Sequence, residues 1–225
     1  MCGIAAIYKT KPKCYFEGEN EAILNYLPNH LSLVLDVGCS AGGFGKLLKD
    51  KGLTVWGIEP IAHAANQAKS KIDHVINDIF DEKILNIIQD QKFDCIFFID
   101  VLEHMVDPYS AINFSKKILK SNGYIISSIP NVLRYSNILN ILKKQDWEYV
   151  EAGIMDKGHL RFFSKKSITR LFKESGFTIL TMDGINPHCN TIFKLLNFLF
   201  LNKFEDMKYT GFITVARKNE LEEPS

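Results

Sequence analysis

Leu33-Val-Leu-Asp36-Val-Gly38-Cys39-Ser40-Ala-Gly42-Gly-Phe-Gly45 is the stretch that decides the fold. Its opening run is apolar except for Asp36, the pattern of a strand covered on both faces. Glycines follow at once, and Gly42–Lys51 then carries Phe44, Leu47 and Leu48 on one side of a helix. A strand that turns through glycines into a helix leaves the first N–H groups of that helix pointing beyond the strand end, where an anion or a polar ligand can sit. Gly38 and Gly42 allow a tight turn and a close approach of ligand to backbone. Taken alone, such a turn suits a dinucleotide or no ligand at all.

Outward from this stretch, short apolar runs alternate with helix-prone segments. Thr54–Ile58 reads as a second strand and Ile61–Lys71 as an Ala-rich helix. His74–Ile76, Asp94–Ile99 and Tyr124–Ile129 read as further strands. Glu82–Gln89 and Pro108–Lys120 read as helices, the second ending at Ser-Asn-Gly123. Beyond them come a helix over Ser164–Ser175 with Ser164 as N-cap, a strand over Phe177–Met182, a helix over Cys189–Leu201 and a last strand over Thr210–Arg217. Strands with continuous apolar runs, alternating with helices, predict an α/β fold in which a doubly wound parallel sheet is covered on both faces. The irregular piece Pro130–Phe163 is long for a connection within a compact domain, which marks it as functional or as having structure of its own.

The 225 residues suit one domain, 1–225, in which 1–30 form an N-terminal extension. At 46% hydrophobic and a net charge of +1, the chain has a core and lacks the excess charge of a nucleic-acid binder. No apolar run is long enough to cross a bilayer, and the N-terminus lacks the pattern of a signal peptide, so a cytoplasmic setting is expected. The five cysteines are widely spaced, as in a reduced protein, and neither they nor the histidines show metal-ligand spacing, so no metal is expected.

Acids stand at the ends of the next strands. Glu59, followed by Pro60, lies about twenty residues after the glycine turn, where a carboxylate can accept from both hydroxyls of a ribose. Asp78, with the backbone of Ile79 beside it, can meet an adenine edge. Asp100 and Val101 end the fourth strand. Two other functions share part of this pattern: a nicotinamide-dependent oxidoreductase, and a non-catalytic cofactor-binding protein on the same fold.

Taken together, Leu35-Asp36-Val-Gly38-Cys-Ser40-Ala-Gly42, Glu59, Asp78 and Phe93–Pro108 resemble, in order, the motifs of class I S-adenosylmethionine-dependent methyltransferases. Gly123–Asn131 and Gly158–Phe177 are similar to the small-molecule group of that family, the ubiquinone-biosynthesis-like enzymes. The resemblance covers roughly residues 20–218 and departs at Ser40, where many members carry glycine. It implies a Rossmann-like sheet in the order 3-2-1-4-5-7-6 with strand 7 antiparallel, and S-adenosylmethionine as cofactor. It also implies that Asp36 approaches the methionine ammonium, that Gly38, Cys39, Ser40 and Gly42 line the methionine part, that Glu59 and Pro60 meet the ribose, that Asp78 and Ile79 meet the adenine, and that Asp100 and Val101 border the methyl donor.

Methyl transfer is an in-line displacement, so an enzyme must chiefly align the reacting atoms. An oxygen acceptor can also need a base, for which His104 and His159 are candidates and Glu103 a lesser one. The segment 130–163 is expected to form a lid over a small-molecule acceptor, with Arg134, Tyr135, Trp147 and Arg161 (and Tyr149 near them) holding a flat or anionic group. The Phe-rich stretch Ile192–Leu201 is expected in the core, a homodimer or membrane-surface contact being the alternative. Met1-Cys-Gly-Ile-Ala5 resembles the start of amidotransferases with an N-terminal cysteine, but nothing downstream continues that pattern.

Overall fold

The computed structural model describes residues 21–220; the Met1–Ala5 motif, Cys2, Cys14 and most of the expected N-terminal extension lie outside them. Seven strands alternate with helices: β1 Leu33–Val37, α1 Gly43–Asp50, β2 Thr54–Ile58, α2 Ala62–Ala68, β3 His74–Ile76, α3 Leu85–Ile88, β4 Phe93–Ile99, α4 Pro108–Ile118, β5 Leu119–Pro130, α5 Tyr135–Lys144, α6 Lys165–Glu174, β6 Phe177–Ile185, α7 Thr191–Leu199 and β7 Gly211–Lys218. They form one sheet in the order β3-β2-β1-β4-β5-β7-β6. β1 runs parallel to both β2 and β4, and β7 runs antiparallel to both β5 and β6. The chain works outward from β1 to β3, then crosses back to β4 on the other side. The crevice where ligands bind in such sheets therefore opens beyond Val37 and Ile99.

The sheet is coated on both faces. Side chains along β4 alternate between them: Ile96 and Phe98 belong to one core cluster with Ile88, Ile112 and Phe172, whereas Cys95 and Phe97 belong to another with Phe44, Leu48 and Ala68. Burial on both faces is why these strands read as unbroken apolar runs.

Local signals set the helix ends. The Ser164 hydroxyl and Ser167 cap each other's backbone N–H groups at the start of α6, and Asp107 accepts the Ser110 N–H in front of Pro108 in α4. Two expectations need correction. α4 stops at Ile118, because Leu119 is already extended and pairs with Phe93; Ser121-Asn-Gly123 lies inside β5, where Asn122 takes a positive φ in an irregular stretch of the pairing. The piece 130–163 has structure of its own, one of the two readings its length allowed, since it contains α5. The helix expected in the core, α7, leaves Leu195, Phe198 and Leu199 exposed at 60%, 69% and 65%. It follows β6, the outer strand of the sheet, and is attached through Phe193 against Tyr135 of α5, with ring centroids 4.7 Å apart. Among the described residues no helix is long and apolar enough to cross a membrane.

Candidate active site

The glycine turn is clamped from beneath. Gly38 and Cys39 donate their N–H groups to the Ile58 carbonyl at 2.8 and 3.1 Å, which ties the end of β1 to the end of β2. Gly38 and Gly42 have φ of 71° and 75°, and Ser40 takes 49°, a region costly for a residue with a side chain. The Glu59 carboxylate holds that turn in place. One oxygen accepts the Ser40 N–H and the other the Ile61 N–H, each at 2.9 Å. Glu59 is buried, and burial raises its pKa while the two N–H bonds oppose the rise. Asn77 completes the clamp by donating its amide to the Glu59 and Pro60 carbonyls.

Close packing joins this turn to β2. A side chain at Gly57 would meet Cys39 Sγ and Ile72 Cδ1, both at 2.6 Å. Gly57→Ala is therefore expected to destabilise the protein by about 1–3 kcal/mol, through displacement of Cys39 and the turn above it. Thermal unfolding measures this, and an unchanged midpoint would refute it.

Asp36 is buried below α1, with Oδ2 lacking a hydrogen-bond partner. Burial, reinforced by the nearby Glu59 charge, pushes its pKa up to about 8. An orphaned carboxyl oxygen beneath the turn fits a cationic group arriving above it, such as the ammonium of S-adenosylmethionine.

Two cavities open at the carboxyl edge of the sheet, and Asp36 lines neither. The first, of about 550 Å³, is lined by Val37, Gly38, Ile58, Pro60, Ile79 and Val101, among others. Its walls are largely apolar, as an adenosyl group requires. At Gly38 a side chain would lie 2.7 Å from Val101 Cγ2, so glycine is what lets Val101 close in on the turn. Asp78 stands at the end of β3, where its carboxylate accepts the Ile79 N–H at 2.8 Å. The second cavity, of about 540 Å³, is lined by Asp100, Glu103, Arg134 and His159 together with residues of 148–156.

The turn Asp100–His104 contributes to both: Val101 and His104 face the first cavity, Asp100 and Glu103 the second. Asp100 has a positive φ of 51° and is fixed by Ser128, whose hydroxyl donates to Asp100 Oδ1 at 2.9 Å. His104 and His159 come together with ring centroids 4.8 Å apart, both buried. His104 Nδ1 bonds the Gly158 carbonyl at 2.8 Å, and His159 Nδ1 bonds the Ile154 carbonyl at 2.9 Å. A carbonyl only accepts, so each Nδ1 bears hydrogen and, in the neutral ring, Nε2 carries the lone pair. His159 Nε2 lies 3.9 Å from Glu103 Oε1. The Glu103 carbonyl in turn accepts the N–H groups of Leu160 and Arg161, which straps segment 158–161 to the turn.

Glu103, His104 and His159 also offer ligand atoms within 4.8 Å of one another, a group that could hold a metal ion. Spacing along the chain could not reveal it, because the fold brings the third member in from beyond α5. Of the residues expected to hold the acceptor, Arg134 lines the second cavity. Tyr135 is buried against Phe193, Trp147 stands edge-on to Phe162, and Arg161 donates to the Val106 carbonyl; none of these three lines either cavity. Asn77 and Ser128, which position Glu59 and Asp100, escape a reading of the sequence because their partners are remote along the chain.

Comparison with known proteins identifies the family and the fold. Residues 17–182 match a family model described as a methyltransferase domain. The chain is similar to the ubiquinone biosynthesis O-methyltransferase of Pseudomonas entomophila, 31% identical over 121 residues, 50% of this chain and 52% of that protein. It is also similar to the ubiquinone biosynthesis O-methyltransferase of Coxiella burnetii, 27% identical over 180 residues, with 75% of each chain covered. The aligned part thus spans about half of the first relative and three quarters of the second. Its fold matches that of a SAM-dependent methyltransferase from Archaeoglobus fulgidus with a TM-score of 0.65 at 17% identity, covering 90% of this chain and 94% of that one. These matches do not favour the oxidoreductase alternative.

Proposed function

The chain belongs to the methyltransferase-domain family, an S-adenosylmethionine-dependent methyltransferase by sequence and fold, and we propose that it methylates an oxygen of a small molecule held in the second cavity. The observation that carries this reading is the turn Asp100–His104, which forms part of both cavities, with the two histidines beside it. When bound, S-adenosylmethionine supplies an electrophilic methyl group.

This chain's residues then have distinct tasks. Asp36 meets the ammonium, the clamped turn holds the methionine part, and Pro60, Ile79 and Val101 enclose the adenosyl part. Glu59 acts through the turn it clamps, and Asp78 stands at the adenine edge. On the acceptor side His159 takes the hydroxyl proton at Nε2, and Glu103 stabilises the resulting imidazolium. Segment 130–163 closes over the acceptor, a reading supported by Arg134, Asp156 and His159 on the cavity wall. The test is incubation with methyl-labelled S-adenosylmethionine and a panel of phenols, sugars, amines and thiols. Labelled methyl ethers are expected, and labelled N- or S-methyl products alone would overturn the reading.

Asp36 makes cofactor binding depend on pH. With its pKa raised to about 8, it is protonated in the folded chain at pH values where the unfolded chain has already ionised it. Without ligand, its contribution to stability therefore falls as pH rises from about 4 to about 8. An ammonium beside it favours the carboxylate, so affinity for S-adenosylhomocysteine is expected to rise between about pH 6 and 8, by up to about tenfold per unit. Asp36→Asn should flatten that profile in calorimetric titrations; an equal slope in the variant would count against the assignment.

A further inference from the structure

The charges around the second cavity do not balance locally. Glu148 pairs with Lys144 and Glu151 with Lys157. Asp156 accepts the Gly158 N–H, Asp100 accepts the Ser128 hydroxyl, and Glu103 faces His159. Glu148, Glu151, Asp156 and Asp100 thus each have a neighbour that stabilises them. Arg134 stands on the same wall with its Nε buried and without a hydrogen-bond partner.

A buried guanidinium nitrogen without an acceptor is costly, and such groups call for an explanation. Arg134 lines the cavity and is also the N-cap residue of α5, a ten-residue helix whose first turn receives no side-chain cap. Helix N–H groups and the positive end of the helix dipole add to the same field. Ser136, Asn137 and Asn140 of α5 line the cavity beside it. A planar guanidinium with fixed donors matches the two oxygens of a carboxylate or phosphate.

We propose that Arg134, at the uncapped start of α5, docks an oxyanion, a carboxylate or phosphate, carried by the methyl acceptor. This rests on the reading that the second cavity receives the acceptor. The oxyanion anchors one end of the molecule, while its hydroxyl is presented toward His159.

The test uses benzoate, phenyl phosphate and neutral benzamide as probes, with binding followed by ligand-observed NMR in the presence and absence of S-adenosylhomocysteine. Benzoate or phenyl phosphate should bind about tenfold or more tightly than benzamide, a difference of the size expected for a charge-assisted pair. Arg134→Gln should bring the ratio near unity while leaving S-adenosylhomocysteine affinity unchanged. Asn140→Glu, which places a negative charge on the same wall and leaves Arg134 intact, should do likewise and serves if the first variant fails to fold. Equal binding of all three probes to the native chain, or an intact preference in a folded Arg134→Gln or Asn140→Glu variant, would overturn the proposal. Loss of S-adenosylhomocysteine binding by the native chain would instead overturn the methyltransferase reading, and the probe ratio measured without it would stand apart.

Discussion

Replacing Glu59 with alanine is expected to remove about 2–5 kcal/mol of stability and most of the affinity for S-adenosylhomocysteine. Its two oxygens accept the N–H groups of Ser40 and Ile61 at 2.9 Å each, inside a buried pocket. Alanine leaves both donors without an acceptor, and each such loss costs about 1–3 kcal/mol. Ser40 depends most on the bond, because its φ of 49° is held against its own side chain. Release of Ser40 lets the turn relax, and the methionine part loses its backbone wall. Glu59→Gln keeps one acceptor and turns an amide donor toward the other N–H, so it should fall between alanine and the native chain. Urea unfolding and calorimetry with S-adenosylhomocysteine measure the two effects. If stability held while affinity collapsed, Glu59 would be acting on the ligand directly, as the ribose-binding role implied by the resemblance requires.

Much of the fold is legible in the sequence because sheet burial leaves a strong mark. Leu33–Val37, Thr54–Ile58 and His74–Ile76 have the same bounds in sequence and structure, since each apolar run ends where the crevice begins. Ser164 announces α6 for an equally local reason, a hydroxyl capping its own helix. Less local features are hidden. Leu119 looks helical beside Ile118, but Phe93 across the sheet draws it into β5. α7 has the composition of a core helix, and only its place beyond the outer strand leaves Phe198 exposed. In the site, spacing reveals the acids at strand ends. What they bond within the chain is another matter: nothing in the spacing shows that Glu59 also holds the N–H groups of Ser40 and Ile61. His104 and His159 are visible one at a time, and their contact depends on the strap that Glu103 holds.

The second large effect falls on His159. His159→Asn should lower kcat by about 10²–10⁴, the range for loss of a positioned base, with S-adenosylhomocysteine affinity nearly unchanged. Asparagine cannot supply a basic nitrogen, yet its amide can still donate toward the Ile154 carbonyl that His159 Nδ1 now meets at 2.9 Å. His159 lines the second cavity and not the first, which separates the two readouts. Glu103→Gln should act through the same group. Without the carboxylate 3.9 Å from Nε2, the imidazolium loses its counter-charge, so the acidic limb of the pH–rate profile should move to lower pH. A purely structural role for Glu103 would lower activity at every pH without moving that limb. Chelation separates base from metal ligand, because the same Glu103, His104 and His159 could hold an ion. Activity that survives exhaustive chelation but not His159→Asn identifies a base; activity lost to chelation and restored by a divalent cation assigns the histidines to the metal instead, and the proton-transfer role fails.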